Sequence, residues 1–268
     1  MQKTIKIFDI PFANTTLEEA SSFIVELVKK GEEGYICTPN PEILLESQKN
    51  PEFKKVLQCS TMNIPDGIGI LWAATHIYNK SSKLKAFLTL PLIAIYPRYF
   101  KKVLRERVTG ADLVQKICEK VSKENINCFF LGASPGIAKK AAEILEEKYP
   151  GLSVNGTYAG SPREEELNDI IERINKSDAD ILFVAYGAPA QELWIAKAMK
   201  KLKTVNVAIG IGGTFDFISG TKKRSPKWMQ KLGLEWLYRL IQEPSRWKRI
   251  YNATIKFPMK VIFSKTNL

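Results

Sequence analysis

Histidine is almost missing from this chain. The 268 residues hold only His76, together with four cysteines, Cys37, Cys59, Cys118 and Cys128, none in a Cys-x-x-Cys pair. A zinc centre needs a cluster of such ligands, so no metal is expected. Scattered, unpaired cysteines read as free thiols in a reducing compartment. His76 lies in the apolar helical run Leu71-Trp72-Ala73-Ala74-Thr75-His76 and reads as structural. No segment reaches the ~20 apolar residues that span a bilayer as a helix. The start, Met1-Gln2-Lys3-Thr4-Ile5-Lys6-Ile7, alternates like a strand and lacks the apolar block of a signal peptide. Neither the Gly-x-Gly-x-x-Gly fingerprint after the first strand nor the Gly-x4-Gly-Lys-Ser/Thr loop occurs, which counts against a dinucleotide oxidoreductase and a P-loop NTPase.

What is present suits one large α/β domain, or a domain with an appendage: 45% of residues are hydrophobic and 25% charged. The net charge of +12 is unevenly spread. Thr221 to Leu268 carries twelve Lys/Arg against Glu235 and Glu243, while the rest has 28 basic against 26 acidic residues. A neutral body (1–220) therefore ends in a cationic tail (221–268). Such a tail seeks phosphates, whether of nucleic acid, an anionic membrane or a pyrophosphate substrate.

Strands are expected at Thr4–Ile10, Gly34–Thr38, Thr61–Ile64, Asn127–Leu131, Ser153–Gly156, Asp180–Tyr186 and Val205–Ile209, with helices between them. Thr16 and Glu19 form a capping box for the first helix. Ser134 is the expected cap of a helix opened by Pro135. Two helices broken near Glu243-Pro244 follow Pro226. This alternation predicts a Rossmann-like parallel sheet with flanking helices plus a basic C-terminal helical appendage, and places ligands at the strands' carboxyl ends. Five loops gather there: Thr38-Pro39-Asn40-Pro41, Pro65-Asp66-Gly67, Leu131-Gly132-Ala133-Ser134, Gly187-Ala188-Pro189-Ala190-Gln191, and Gly210-Ile211-Gly212-Gly213-Thr214-Phe215-Asp216. The Gly132 turn into a helix N-terminus is a candidate phosphate site. Taken alone, each loop also reads as an ordinary turn, Asp66 as a helix cap and Gln191 as a solvated first-turn residue.

In order along nearly the whole chain, several segments resemble the WecG/TagA/CpsF glycosyltransferase family. They are Thr38-Pro39-Asn40-Pro41-Glu42, Pro65-Asp66-Gly67-Ile68-Gly69, Glu106-Arg107-Val108-Thr109-Gly110, Gly187-Ala188-Pro189-Ala190-Gln191-Glu192, Gly213-Thr214-Phe215-Asp216-Phe217, Arg224-Ser225-Pro226-Lys227-Trp228, Gly233-Leu234-Glu235-Trp236 and Gln242-Glu243-Pro244. The resemblance implies an inverting enzyme without a metal or other cofactor. It would move N-acetylmannosamine or its uronic acid from UDP to N-acetylglucosamine on undecaprenyl pyrophosphate, at the cytoplasmic membrane face, for surface polymers such as teichoic acids. In that setting Asp66 suits the general base. Arg107 suits the leaving UDP. Thr38, Asn40 and Gln191 suit sugar hydroxyls and the acetamido group; Gly160, Gly213 and Asp216 suit the uridine end. Arg239, Arg246 and Arg249, seven and three apart, are expected on one helical face, where the resemblance has them clamp the acceptor pyrophosphate. The lysines and Trp228, Trp236 and Trp247 would rest on headgroups. A solvated basic helix with core tryptophans reads the same tail. Asp178-Ala179-Asp180 imitates a metal-binding Asp-x-Asp but precedes its strand, at the wrong end of the sheet.

One stretch departs from the family pattern. Residues 80 to 105 intervene before the Glu-Arg-Val-Thr-Gly match. No acid occurs between Asp66 and Glu106, while seven Lys/Arg flank the apolar run Ala86 to Phe100. The segment reads as a membrane-dipping or lipid-gripping element; an oligomer interface or a core helix fits the same composition. Charge alone also suggests a non-catalytic membrane- or nucleic-acid-binding protein on the same fold. No recognisable nucleic-acid module occurs, and intact Asp66, Asn40 and Gln191 weigh against lost chemistry.

Overall fold

A computed structural model describes residues 4–264. Met1, Gln2 and Lys3 of the expected first strand and Lys265 of the basic tail lie outside the described residues. Thr4–Ile10 is not one strand. Phe8 and Asp9 take φ of 52° and 66°, the left-handed region, and the chain reverses between Thr4–Ile7 (β1) and Ile10–Ala13 (β2). Positive φ at both central residues matches the twist of a tight hairpin, and Ile7 lies opposite Ile10. This ribbon is separate from the main sheet.

The main sheet comprises Gly34–Cys37 (β3), Met62–Asn63 (β4), Asn127–Gly132 (β5), Ser153–Tyr158 (β6), Ile181–Ala185 (β7) and Val207–Gly210 (β8), ordered β4-β3-β8-β7-β5-β6 with every pairing parallel. Period-two alternation sends side chains to both faces. Cys128 and Phe130 of β5 join a core with helices Leu17–Lys29, Gly110–Val121 and Ile137–Lys148. Phe129 and Leu131 face Leu167–Lys176 and Ala190–Ala198. Both faces being covered, the central strands are apolar throughout.

The Thr16 capping box forms, with Thr16 Oγ1 accepting from Glu19 N–H and Glu19 reaching back to Thr16 N–H. The Ser134 cap does not. Ala133 and Gly136 are left-handed, at φ 59° and 84°, and turn the chain first, so the helix starts at Ile137 with Gly136 at its cap. Asp180 of the Asp-x-Asp accepts from Asn127 N–H (2.7 Å), tying together the starts of two strands.

Residues 80 to 105 fold as short helices, Lys83–Leu88 and Leu92–Ile95, and a 3-10 turn, Pro97–Lys102. Their inner side is fastened to helix Ile68–Tyr78. Trp72 Nε1–H donates to Thr89 Oγ1 (3.3 Å), Thr89 Oγ1 bonds His76 Nε2 (2.8 Å), and Thr75 Oγ1–H donates to Phe100 O (3.2 Å). Burial, with Lys85 nearby, pushes His76 down to about 4, so it stays neutral in this core.

The tail breaks at Glu243-Pro244 as expected, but into shorter pieces: Lys227–Lys231, Glu235–Gln242, Trp247–Tyr251 and, after a π turn, Phe257–Phe263. The last helix returns to the body. Phe257, Val261 and Ile262 are buried with Phe8, Leu44 and Trp72.

Candidate active site

Asp66 follows β4 at the carboxyl edge of the sheet. Three backbone bonds build its surroundings. Ile64 N–H donates to Cys37 O (2.9 Å), Asp66 N–H to Pro39 O (3.2 Å), and Val108 N–H to Pro65 O (3.0 Å). The first two hold Asp66 beside the Thr38–Pro41 loop; the third brings Arg107 alongside. Gly67 has φ 121°, and a Cβ there would stand 3.2 Å from Pro41 Cδ, so glycine lets the Asp66 turn and the Pro41 helix meet.

Asp66 is partly buried, and no hydrogen bond is among the influences on its carboxyl group. Burial raises it from the ordinary carboxylate range to about 6; Arg107, Arg239 and Arg224 pull it down and Glu235 pushes it up. It is ionised at pH 7 yet close to neutrality, which suits a general base.

The tail closes over this carboxylate through ion pairs. Arg107 binds Glu235 (2.7 Å), with both side chains about one-sixth exposed, and donates to Gln230 O (3.0 Å). Arg224 grips Asp112 through two bonds (2.6 and 2.8 Å) and reaches Thr109 Oγ1 (3.1 Å) and Glu235 (3.3 Å). Arg249 donates to both oxygens of Glu42 (2.8 and 2.9 Å), two residues beyond Asn40. Arg246 pairs with Glu243, and Arg239 lies over the Phe217 ring (4.7 Å). The helix break puts these three arginines on separate elements, not one helical face; their charges still reach one another, since Arg246 and Arg249 both act on Arg239.

Other expected ligands have internal tasks. Thr38 Oγ1–H donates to Gly210 O (3.1 Å). Asn40 Oδ1 caps its helix by accepting from Ile43 N–H (3.0 Å), leaving its amide nitrogen for a ligand. Gln191 is buried: its Oε1 accepts from Gly187 N–H (3.1 Å) and Gly212 N–H (3.0 Å), and its Nε2 donates to Glu192 Oε1 (2.8 Å). It joins the loops after β7 and β8; with both Oε1 lone pairs engaged, the second Nε2 hydrogen is the one group it could still offer a ligand. Gly132, φ 101°, lies where a Cβ would meet the Ala185 backbone at 2.8 Å, so strand packing explains it. Gly160, φ 51°, is hemmed by Tyr158, Tyr186 and Ile170. Gly213 is exposed, with Asp216 Oδ2 3.3 Å from where its Cβ would stand, so both remain open to a ligand. A cavity of about 230 Å³ between Pro162, Leu167, Ala190, Trp194 and Lys197 has none of the Asp66 loop in its wall.

Several contributors were not singled out from the sequence. Glu235 entered only as one of two tail acids and as part of a matching segment, and Glu42 only as part of another, with no role given to either. Glu192, 1% exposed, has Oε2 without a hydrogen-bond partner, and burial pushes it up to about 7. Only its place in the fold marks it.

A parallel α/β sheet with a carboxylate and several arginines at its carboxyl edge has the character of an enzyme site for an anionic substrate. The chain belongs to the Glycosyl transferase WecG/TagA/CpsF family, whose model matches residues 5–90 and 91–268. It is similar to two proteins named N-acetylglucosaminyldiphosphoundecaprenol N-acetyl-beta-D-mannosaminyltransferase. The one from Bacillus spizizenii is 31% identical over 87% of this chain and 82% of its own length. The one from Bacillus subtilis is 30% identical over 99% and 93%.

Proposed function

We propose that the protein transfers N-acetylmannosamine from UDP to N-acetylglucosamine on undecaprenyl diphosphate, with inversion, at a membrane surface. The observation that carries this reading is Asp66: a partly buried carboxylate held near 6 among arginines from both body and tail. The relatives' acceptor and sugar, named above, supply the substrates.

In this reading Asp66 takes the proton from the attacking hydroxyl of the acceptor sugar. The oxygen then attacks the donor's anomeric carbon from the face opposite the leaving UDP, and the configuration inverts. Negative charge grows on the departing diphosphate, which Arg107 and backbone amides at the carboxyl edge stabilise. The Asn40 amide donates to the sugar, and Gly213 and Asp216 meet the uridine. Arg239, Arg246 and Arg249 meet the acceptor diphosphate, which replaces their present partners Glu42 and Glu243. Gln191 acts as a positioning residue, joining the two loops that flank the donor.

A panel of UDP-sugars offered with a short-chain lipid diphosphate N-acetylglucosamine acceptor, read by product mass, tests this. Addition of one N-acetylhexosamine from UDP-N-acetylmannosamine is expected. Its uronic acid as the sole donor, or transfer to no lipid acceptor, contradicts the reading.

A further inference from the structure

The segment of residues 80 to 105 has two sides of opposite character. Its inner side is anchored: Ala86, Thr89, Phe100 and Leu104 are buried against helix Ile68–Tyr78. Its outer side leaves Leu84, Phe87 and Leu88 in water at helical spacings of three and four, followed by Ile95, 73% exposed, and Tyr96. Packing has already satisfied the inner face, so this outer stripe is not core awaiting a partner within the described chain.

A second stripe lies beside it. Helix Lys83–Leu88 packs on helix Phe257–Phe263, with Lys83 Nζ 5.5 Å from the centre of the Phe263 ring. Opposite the buried Phe257, Val261 and Ile262, the tail exposes Tyr251, Ile255, Met259 and Phe263 at successive spacings of four. Lys256 lies over the Tyr251 ring, and Lys260 of the terminal helix over the Phe8 ring. The two stripes thus meet along one helix–helix contact.

Charge identifies the occupant. Residues 67–105 and 244–268 contain no acid, against seven and six Lys/Arg. Among the described residues, Lys80, Lys83, Lys85, Arg98, Lys101 and Lys102 form no ion pair with a carboxylate. Phosphates without an apolar layer would leave the Leu and Ile tips in water, and an apolar protein face would leave the lysines unanswered. An anionic bilayer surface meets both, with acyl chains for the tips and headgroup phosphates for the ammonium groups.

We infer that helix Lys83–Leu88, the Ile95-Tyr96 turn and the outer stripe of the terminal helix form one surface that seats in an anionic lipid bilayer. This deepens the membrane part of the proposed function and is separable from it, because a short-chain acceptor in solution needs no bilayer.

The test is flotation of the full chain with vesicles of equimolar phosphatidylglycerol and phosphatidylcholine, and with phosphatidylcholine alone. Wild type is expected to float with the anionic vesicles. A Leu84→Glu, Leu88→Glu, Ile95→Glu variant is expected to lose at least tenfold in partitioning while keeping wild-type transfer to the short-chain acceptor. A second variant, Lys85→Gln, Lys101→Gln, Lys102→Gln, changes only exposed side chains. It is expected to lose about fivefold per lysine on anionic vesicles and nothing on neutral ones. Unchanged flotation of both variants overturns the inference. So does a change in sedimentation of the glutamate variant with flotation intact, which would give the surface to a second copy of the chain. Loss of flotation with transfer intact supports the inference even where the donor proves to be another sugar.

Discussion

At the residue scale the site turns on how charges tune one carboxylate. Glu235 raises Asp66, and it also pairs with Arg107, which lowers it. Glu235→Gln removes the repulsion and frees Arg107, two effects of the same sign. The acid limb of the kcat/KM profile, expected near pH 6 in the wild type, should move to lower pH; Arg107→Met should move it higher. A limb unmoved in both variants would detach Asp66 from the rate. Glu192 gives a stability prediction. Burial holds its folded pKa near 7, above the ordinary 4.5, so the folded state binds more protons between those values. Stability therefore falls as pH rises from about 4.5 to 7 and stays low above it. Glu192→Gln should be more stable than wild type at pH 8, by on the order of 2 kcal/mol, and should lose that advantage by pH 5. Melting temperatures at the two pH values decide this.

At the element scale much was legible. The alternation of strands and helices gave the parallel sheet, because apolar runs bounded by turn residues have few other ways to be buried. The Thr16–Glu19 box was readable since both its bonds are local. Readings failed where geometry overrode a local motif. Ser134-Pro135 has the composition of a helix start, but Ala133 and Gly136 turn the chain first. Thr4–Ile10 has strand composition, but Phe8 and Asp9 fold it into a hairpin. Gly132, read as a candidate phosphate turn, also answers to the Ala185 backbone, a packing demand the local sequence does not reveal. The Arg224–Asp112 and Arg249–Glu42 pairs, more than a hundred residues apart in sequence, leave no local trace. The terminal helix makes its own prediction. Phe257 is fully buried against Phe8, ring centroids 6.0 Å apart. Phe257→Ala should cost about 3–5 kcal/mol by denaturant titration, whereas Phe263→Ala, at an exposed position of the same helix, should cost far less. Equal losses would show that the terminal helix is not seated as described.

At the scale of the whole molecule, the cationic tail is less an addition than the second wall of the site. It begins at the Arg224–Asp112 pair, passes Arg107 through Glu235, reaches the Asn40 helix through Arg249 and ends in the core with Phe257. Net charge alone could not separate a substrate-facing cation from a surface one; the pairing shows which cations are already committed to carboxylates and which face outward without them. The outward ones border exposed apolar stripes, and the committed ones ring Asp66. The proposed bilayer contact would use the outward set, and the proposed diphosphate site the committed one. Everything then depends on Asp66 as the base. The decisive measurement is single-turnover transfer from UDP-N-acetylmannosamine to the short-chain lipid diphosphate acceptor by Asp66→Asn, alongside UDP binding. The predicted result is a rate lower by roughly 10²–10⁴ with UDP affinity kept; transfer at the wild-type rate would contradict the account.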